Sequence, residues 1–225
     1  MKNLFVWRYL NKIFEKRVWI NENIYMIKIM RKYYSNYQKK IISHAFFDCV
    51  KNDVKFEMFC NHIDKINIDS IYNSQVHGMK HIINVTFFSY LIGCNEKLSI
   101  DDMDILLDSA LYHDIGRNSD NEDIEHGYRG ATKIMRLIRN NKIIPAIIHA
   151  HSLLDKEADC IFEQYHIEKS QYDRYIKLLS ILKDADALDR FRLRPNSLKP
   201  EYFRIDYSKE LISLACVLSK VVYCY

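Results

Sequence analysis

Punctuation is what most constrains this chain: glycine occurs five times and proline three times in 225 residues. These two residues are the strongest local breakers of regular structure, and a fold built from many short strands uses them at most of its turns. Leu, Ile, Lys, Glu and Asp fill the long intervals between them, which is the composition of helices joined by short connections. The expected fold is all-α.

The length suits one large domain, or one domain with an appended helical segment, and is enough to bury a real core. Cysteines at 49, 60, 94, 160, 216 and 224 are scattered without a C-x-x-C pair, so they are expected to be reduced thiols rather than zinc ligands or disulfides. Charges at Arg8, Lys12, Glu15, Lys16 and Arg17 interrupt the N-terminal segment before any signal-peptide core can form. No apolar run reaches the roughly 18 to 20 residues of a membrane span. A cytoplasmic protein without a membrane span is expected.

Charge is distributed unevenly. Residues 1–60 hold 12 Lys+Arg against 5 Asp+Glu, a net of +7, whereas residues 61–225 hold 21 against 24, a net of −3. The N-terminal third lacks glycine and is rich in aromatics, and Leu4, Trp7, Leu10, Phe14 and Val18 recur at helical spacing to form one apolar stripe. Residues 1–70 are therefore read as a basic, aromatic extension of two or three helices, packed as a cap on the main domain or on a partner subunit. The alternative is a basic surface for nucleic acid or anionic lipid.

From about residue 74 the character changes. The stretch from Ser74 to Gly93 is apolar-periodic and is expected to be helical, with His77 and His81 one turn apart on a common face. The stretch beginning Asp101-Asp102 continues as a helix with Ile105, Leu106, Ala110 and Leu111 on its buried side, and ends in His113-Asp114 with Gly116 as terminator. His126 stands near a further helix start, and His149 and His151 lie on a short apolar helix. Asp184, Asp186 and Asp189 then fall among Leu179, Ile181, Leu182, Ala185 and Leu188. A carboxylate in such surroundings must be paired or metal-bound. Imidazole nitrogens with carboxylate oxygens suit Mn, Fe, Zn, Ni, Co and, with water completing the shell, Mg.

Taken singly, each element has a plain structural explanation: a His-Asp dipeptide arises by chance, and a histidine on an apolar face is more often a core residue than a ligand. The ordered series is harder to reach by helix packing alone. It runs His77-Gly78-x-x-His81, Ala110-Leu111-x-His113-Asp114-Ile115-Gly116, His126-Gly127, His151-Ser152 and Asp184-Ala185-Asp186-x-Leu188-Asp189. This series resembles the HD superfamily of metal-dependent phosphohydrolases over about residues 74–192.

The resemblance implies an HD-type helical bundle across residues 71–225, with additional N- and C-terminal helices, and a divalent metal on His81, His113, Asp114 and Asp186. Asp186 is preferred to Asp184 because the family's A-D-x-L phrase reads Ala185-Asp186-Ala187-Leu188, and residues two apart on a helix point about 200° apart. His151 is preferred to His149 because His151-Ser152 matches the family's phrase. The resemblance further implies catalytic roles for Asp114, His126 and His151 and a place beside the phosphate for His77; Arg117, Lys183 and Arg190 carry the charge to bind substrate phosphate, the alternative being surface salt bridges to the many carboxylates. Two departures stand out: Asn84 occupies a position that is commonly arginine, and the glycine-tyrosine-proline signature of the cyclic-dinucleotide branch is missing.

The function expected is hydrolysis of a phosphoester or phosphoanhydride in a small phosphorylated substrate, most plausibly a nucleotide. The alternatives are a di-iron oxygenase on the same scaffold, or a nucleic-acid or membrane-surface module whose metal is structural. The apolar final segment, Leu211–Tyr225, either closes the core or forms a homodimer face.

Overall fold

The structure is a computed structural model that describes residues 54–65, 71–72, 74–138, 141–193 and 197–219. By compactness the chain divides into two units, Met1–Lys65 and Ile66–Tyr225. In the first, the described element is helix α1, Val54–Asp64. The aromatic stripe from Leu4 to Val18 and most of the basic residues of the extension lie outside the described residues.

The second unit is helical as expected, with no strand among its described residues. It comprises α2 (Met79–Asn95), α3 (Ile100–Tyr112), α4 (His126–Leu137), α5 (Ile143–His151), α6 (Ala158–Gln164), α7 (Tyr172–Leu188), α8 (Tyr207–Glu210) and α9 (Ile212–Ser219). Short 3-10 turns at Asp155–Glu157, Lys169–Gln171, Asp189–Arg192 and Pro200–Tyr202 complete it. Helices α2, α3, α5 and α7 form the central bundle: α7 packs on α2, α3 and α5, α3 packs on α2 and α5, and α4 lies along α5.

Helix α2 is buried almost all round, from Met79 through Gly93, which is why its sequence is apolar on every face. Phe88, Tyr90 and Ile92 are fully enclosed, and burying a side chain of such size contributes roughly 1.5–3 kcal/mol. The helix begins at Met79, not at Ser74 as the periodicity suggests. The Ser74 hydroxyl accepts the backbone N–H groups of Val76 and His77, which folds this stretch into a turn. A Cβ on Gly78 would stand 2.1 Å from the Ser74 carbonyl oxygen, so the turn closes only around glycine.

Ser99 caps α3 by accepting the N–H of Asp102. That helix ends at Tyr112, and Gly116 is not its left-handed terminator, because no described glycine has a positive φ. Space is what position 116 requires. A Cβ there would lie 2.0 Å from the His126 carbonyl oxygen and 2.4 Å from the Gly130 nitrogen, both backbone atoms that cannot yield. Gly127 likewise lets α4 press on α5, its missing Cβ falling 2.7 Å from the His149 carbonyl oxygen. Ile115, Ala131, Ile134, Ile144 and Ile148 form the apolar contact around this close approach.

The C-terminal segment closes the core as far as it is described: Leu211, Ala215, Cys216 and Leu218 are buried, and α9 packs against the turn Asp189–Arg192. Val221 and Val222 lie outside the described residues. Cys60, Cys94, Cys160 and Cys216 are free thiols, and Cys49 and Cys224 lie outside the described residues. No described helix is long and apolar enough to cross a membrane.

Candidate metal centre

Four helix ends and two turns meet at one buried point. The turn before α2 brings His77, the first turn of α2 brings His81, and the residues after α3 bring His113 and Asp114. The start of α4 brings His126, the end of α5 His151, and the last turn of α7 Asp186. His77, His81, His113, Asp114, His126 and His151 are all buried, and the side chain of Asp186 is 36 % exposed.

Asp114 sits at the middle with its two oxygens turned to different partners. Its Oδ2 lies 3.4 Å from His81 Nε2 and 3.7 Å from His113 Nε2, and it accepts a hydrogen bond from His77 Nδ1 at 3.0 Å. Its Oδ1 lies 3.1 Å from His126 Nε2 and 4.0 Å from His151 Nε2, and accepts from Arg117 Nε at 3.0 Å. Asp186 Oδ1 completes the first side, 3.3 Å from His81 Nε2.

The other nitrogen of four rings decides what these contacts are. Nδ1 of His113 donates to the Ala110 carbonyl at 2.7 Å, Nδ1 of His126 to the carbonyl of Asp123, and Nδ1 of His151 to that of Ile148. Nδ1 of His81 donates to the Asp189 carboxylate at 2.8 Å. A carbonyl oxygen only accepts, so each neutral ring must carry its proton on Nδ1 and point a bare Nε2 lone pair inward. Yet Nε2 of His81 and His113 stand 3.1 Å apart, and Nε2 of His126 and His151 stand 3.0 Å apart. Two lone pairs at that distance repel unless a proton or a metal cation lies between them. The donor set therefore fits a divalent metal: His81, His113 and Asp186 with Asp114 on one side, and, by their mutual distances, Asp114, His126 and His151 on the other.

Electrostatics agree with this picture. Burial would raise the Asp114 carboxyl, but His113, His126, His77 and His81 around it hold it well below the usual carboxylate range. Burial is likewise outweighed at Asp186, which His81, His113 and Arg192 hold low. His151 is pushed down to about 3, first by burial and then by His126 and His113, so its ring is neutral near neutral pH. At His81, burial and Arg192 lower the pKa, but hydrogen bonds with Asp114 and Asp189 more than offset them and raise it.

A family comparison adds to the geometry. The HD domain matches residues 78–190, half of the chain. The chain belongs to the HD domain family. No curated protein and no solved structure matches. HD domains form a family of metal-dependent hydrolases that bind divalent metals, and the buried His/Asp clusters of this HD domain fit such a site.

Within the HD domain the remaining residues singled out in the sequence fall into distinct places. Asp184 is fully buried and faces away from the imidazoles, accepting the backbone N–H groups of Arg204 and Ile205, the Ser208 hydroxyl and the Arg204 guanidinium. His149 lies between the rings of Tyr128 and Tyr165, outside the cluster. Lys183 Nζ donates to the Leu153 carbonyl and to Asp155, each at 2.7 Å. Arg190, one turn beyond Asp186, opens on a cavity of about 730 Å³ that Asp186 and His151 also line.

Sequence reasoning left three positioning groups unassigned. Asp189 accepts from His81 Nδ1 and, at 2.6 Å, from Asn84 Nδ2, so the neutral residue at position 84 serves the site through a carboxylate. Arg192 donates to the Val76 and Asp189 carbonyls, holding the turn that carries His77. Arg129 donates to the Gly116 carbonyl and pairs with Asp123, fixing the loop that delivers His126. The aspartate among apolar residues was a visible signal at 189. The arginines offered none, because the contacts that place the site run to the Val76, Asp189 and Gly116 backbone carbonyls, which no side-chain pattern announces.

Proposed function

We propose that this HD domain hydrolyses a phosphoester or phosphoanhydride bond of a small phosphorylated substrate, a nucleotide being the class its lining favours. The observation that carries the reading is the set of four Nδ1-anchored imidazoles whose bare Nε2 atoms converge on the two oxygens of Asp114. The chemistry supplied by a divalent cation held there is Lewis-acid polarisation of a phosphoryl oxygen and acidification of water.

The chain's own residues do the rest. His81, His113, Asp114 and Asp186 hold the cation, and Asp189 fixes the His81 ring in the tautomer that binding needs. Arg117 and His77 donate to Asp114 and keep its carboxylate oriented, and both stand close enough to bind a phosphoryl oxygen once substrate enters. His126 offers its Nε2 as a proton-transfer group beside Asp114 Oδ1, while neutral His151 acts as acceptor or ligand. Arg190 reaches the substrate side of Asp186 as a phosphate contact, and Lys183 supports that wall through Asp155. Residues 71–225 form the catalytic domain, residues 1–70 a basic extension, and the cytoplasm is the place where a nucleotide substrate is at hand.

The second donor set, Asp114 with His126 and His151, also suits a dinuclear centre, which is the observation that favours the oxygenase alternative. One experiment separates the two. Metal-stripped protein is reloaded with Mn, Mg, Ni, Co or Fe and presented with nucleotides, cyclic dinucleotides and a generic phosphodiester. Metal-dependent phosphate or pyrophosphate release that disappears in Asp114→Ala is expected. Two irons per chain with dioxygen consumption and no phosphate release would replace hydrolysis by oxidation.

A further inference from the structure

The cavity beside Asp186 has a second wall that lies beyond the family match. Lys199, Tyr202, Phe203 and Arg204 line it opposite Lys183 and Arg190. This wall is fastened by an exposed carboxylate, Asp155, and a buried one, Asp184. Arg204 pairs with Asp155 through Nε and Nη2 at 2.9 Å each and reaches Asp184 through Nη1 at 3.1 Å, and Asp184 also takes the backbone N–H groups of Arg204 and Ile205. Residues 197–208 are thereby tied to α7 at a point two residues before Asp186.

Charge on the lining does not balance. Asp155 is shared by Lys183 and Arg204, and Asp184 by Arg204, so those two cations are answered by two carboxylates. Asp186 faces His81 and belongs to the metal donors. Arg190 and Lys199 form no ion pair among the described residues, although both line the cavity. Lys199 Nζ stands 5.6 Å over the ring of Tyr202, which is 66 % exposed and so presents an aromatic face at the rim. At about 730 Å³ the space is in the range of pockets that enclose a whole small molecule.

We infer that this cavity is a second anion subsite, built for a nucleotide with at least two phosphoryl groups. One phosphoryl group lies at the metal donors, the next is held by Arg190 and Lys199, and the base stacks on Tyr202. The inference rests on the hydrolytic reading for the first group only. Arginine supplies a fork and lysine a point charge to phosphate oxygens, and an aromatic face accepts any nucleobase. The substrate preference thus resides in Arg190, Lys199 and Tyr202, outside the imidazole cluster.

The test is calorimetric titration of full-length, metal-loaded protein with the α,β-methylene analogue of a nucleoside diphosphate and with the matching monophosphate. The diphosphate analogue is expected to bind about tenfold tighter or more, the effect of charge-assisted contacts to one further phosphoryl group. In an Arg190→Ala, Lys199→Ala double variant that gap collapses. Tyr202→Ala weakens the analogue and leaves the base-free imidodiphosphate unchanged. Equal affinity for the two nucleotides, or an unchanged gap in the double variant, would overturn the subsite. Because the bond between the two phosphoryl groups of the probe is uncleavable and binding is read separately from turnover, a chain that binds as expected yet releases no phosphate from any ester would defeat the hydrolytic reading and leave the subsite standing.

Discussion

Removing the Asp189 carboxylate should loosen the metal without touching a proposed ligand. Asp189 is 2 % exposed and accepts from His81 Nδ1 at 2.8 Å and from Asn84 Nδ2 at 2.6 Å. Asp189→Ala strands both donors, and a buried donor without an acceptor costs about 1–3 kcal/mol. The larger consequence is at the other end of the ring: without the carboxylate, Nδ1 is no longer the favoured proton position, and the Nε2 lone pair facing His113 and Asp114 is no longer fixed. Outer partners of metal-binding histidines typically contribute 10- to 100-fold in affinity, or about 1.4–2.7 kcal/mol. Competition against a chromophoric chelator measures this directly, with circular dichroism to establish that the variant is folded. Asp189→Asn retains one carbonyl acceptor and should fall between wild type and Asp189→Ala. A folded Asp189→Ala variant within about threefold of wild-type affinity would refute the orienting role assigned to this carboxylate.

Four further outcomes are expected. His113→Ala and Asp114→Ala should each lower metal-dependent phosphate release by about 100-fold or more, since each removes a ligand rather than its support; unchanged turnover would refute the site. Asp184→Ala leaves Arg204 Nη1, two backbone N–H groups and the Ser208 hydroxyl without their acceptor, although Arg204 keeps Asp155, and should destabilise the fold by about 1–3 kcal/mol in urea unfolding. Gly127→Ala forces α4 off the His149 carbonyl, an overpacking cost of about 1–3 kcal/mol, and separates His126 from His151, so both melting temperature and activity should fall. Metal affinity should weaken as pH drops through the histidine range, with His81 among the first rings to protonate because its pKa is raised; affinity measured at about pH 5.5 and at about pH 7.5 checks this, and a flat profile would contradict imidazole ligation.

How far the sequence could be read depended on where each residue's partner lay. The helical class was legible because it follows from local preference, and the His81, His113-Asp114 and Asp186 series because each group sits in a recognisable phrase. Asp186 is singled out from Asp184 by the family's A-D-x-L phrase, and helical geometry adds only that the two cannot face the same way: the side chains do diverge, one toward His81 and the other toward Arg204 and Ser208. His149 and His151 diverge in the same way. Tertiary partnerships were not legible. Nothing in the neighbourhood of Lys183 announces that Asp155 and the Leu153 carbonyl hold its ammonium. Position 116 reads as a helix stop because glycine commonly is one, whereas its requirement is the approach of the His126 and Gly130 backbone. The start of α2 was misplaced for a related reason, since a single serine side chain redirected the backbone against its apolar periodicity.

Helix α7 and the turn that follows it carry three carboxylates within two turns, each gripping a different body: Asp184 the C-terminal wall, Asp186 the metal donors, and Asp189 the His81 ring. This segment acts as a shaft on which these loads share one axis, and a small rotation that relieves one must strain the other two. An occupant of the cavity that contacts Arg204 would thus be joined to a cation at the proposed donors through this one segment of chain. Linkage makes the relation reciprocal: by whatever factor an occupant of the cavity changes the affinity for the cation, the cation changes the affinity for that occupant.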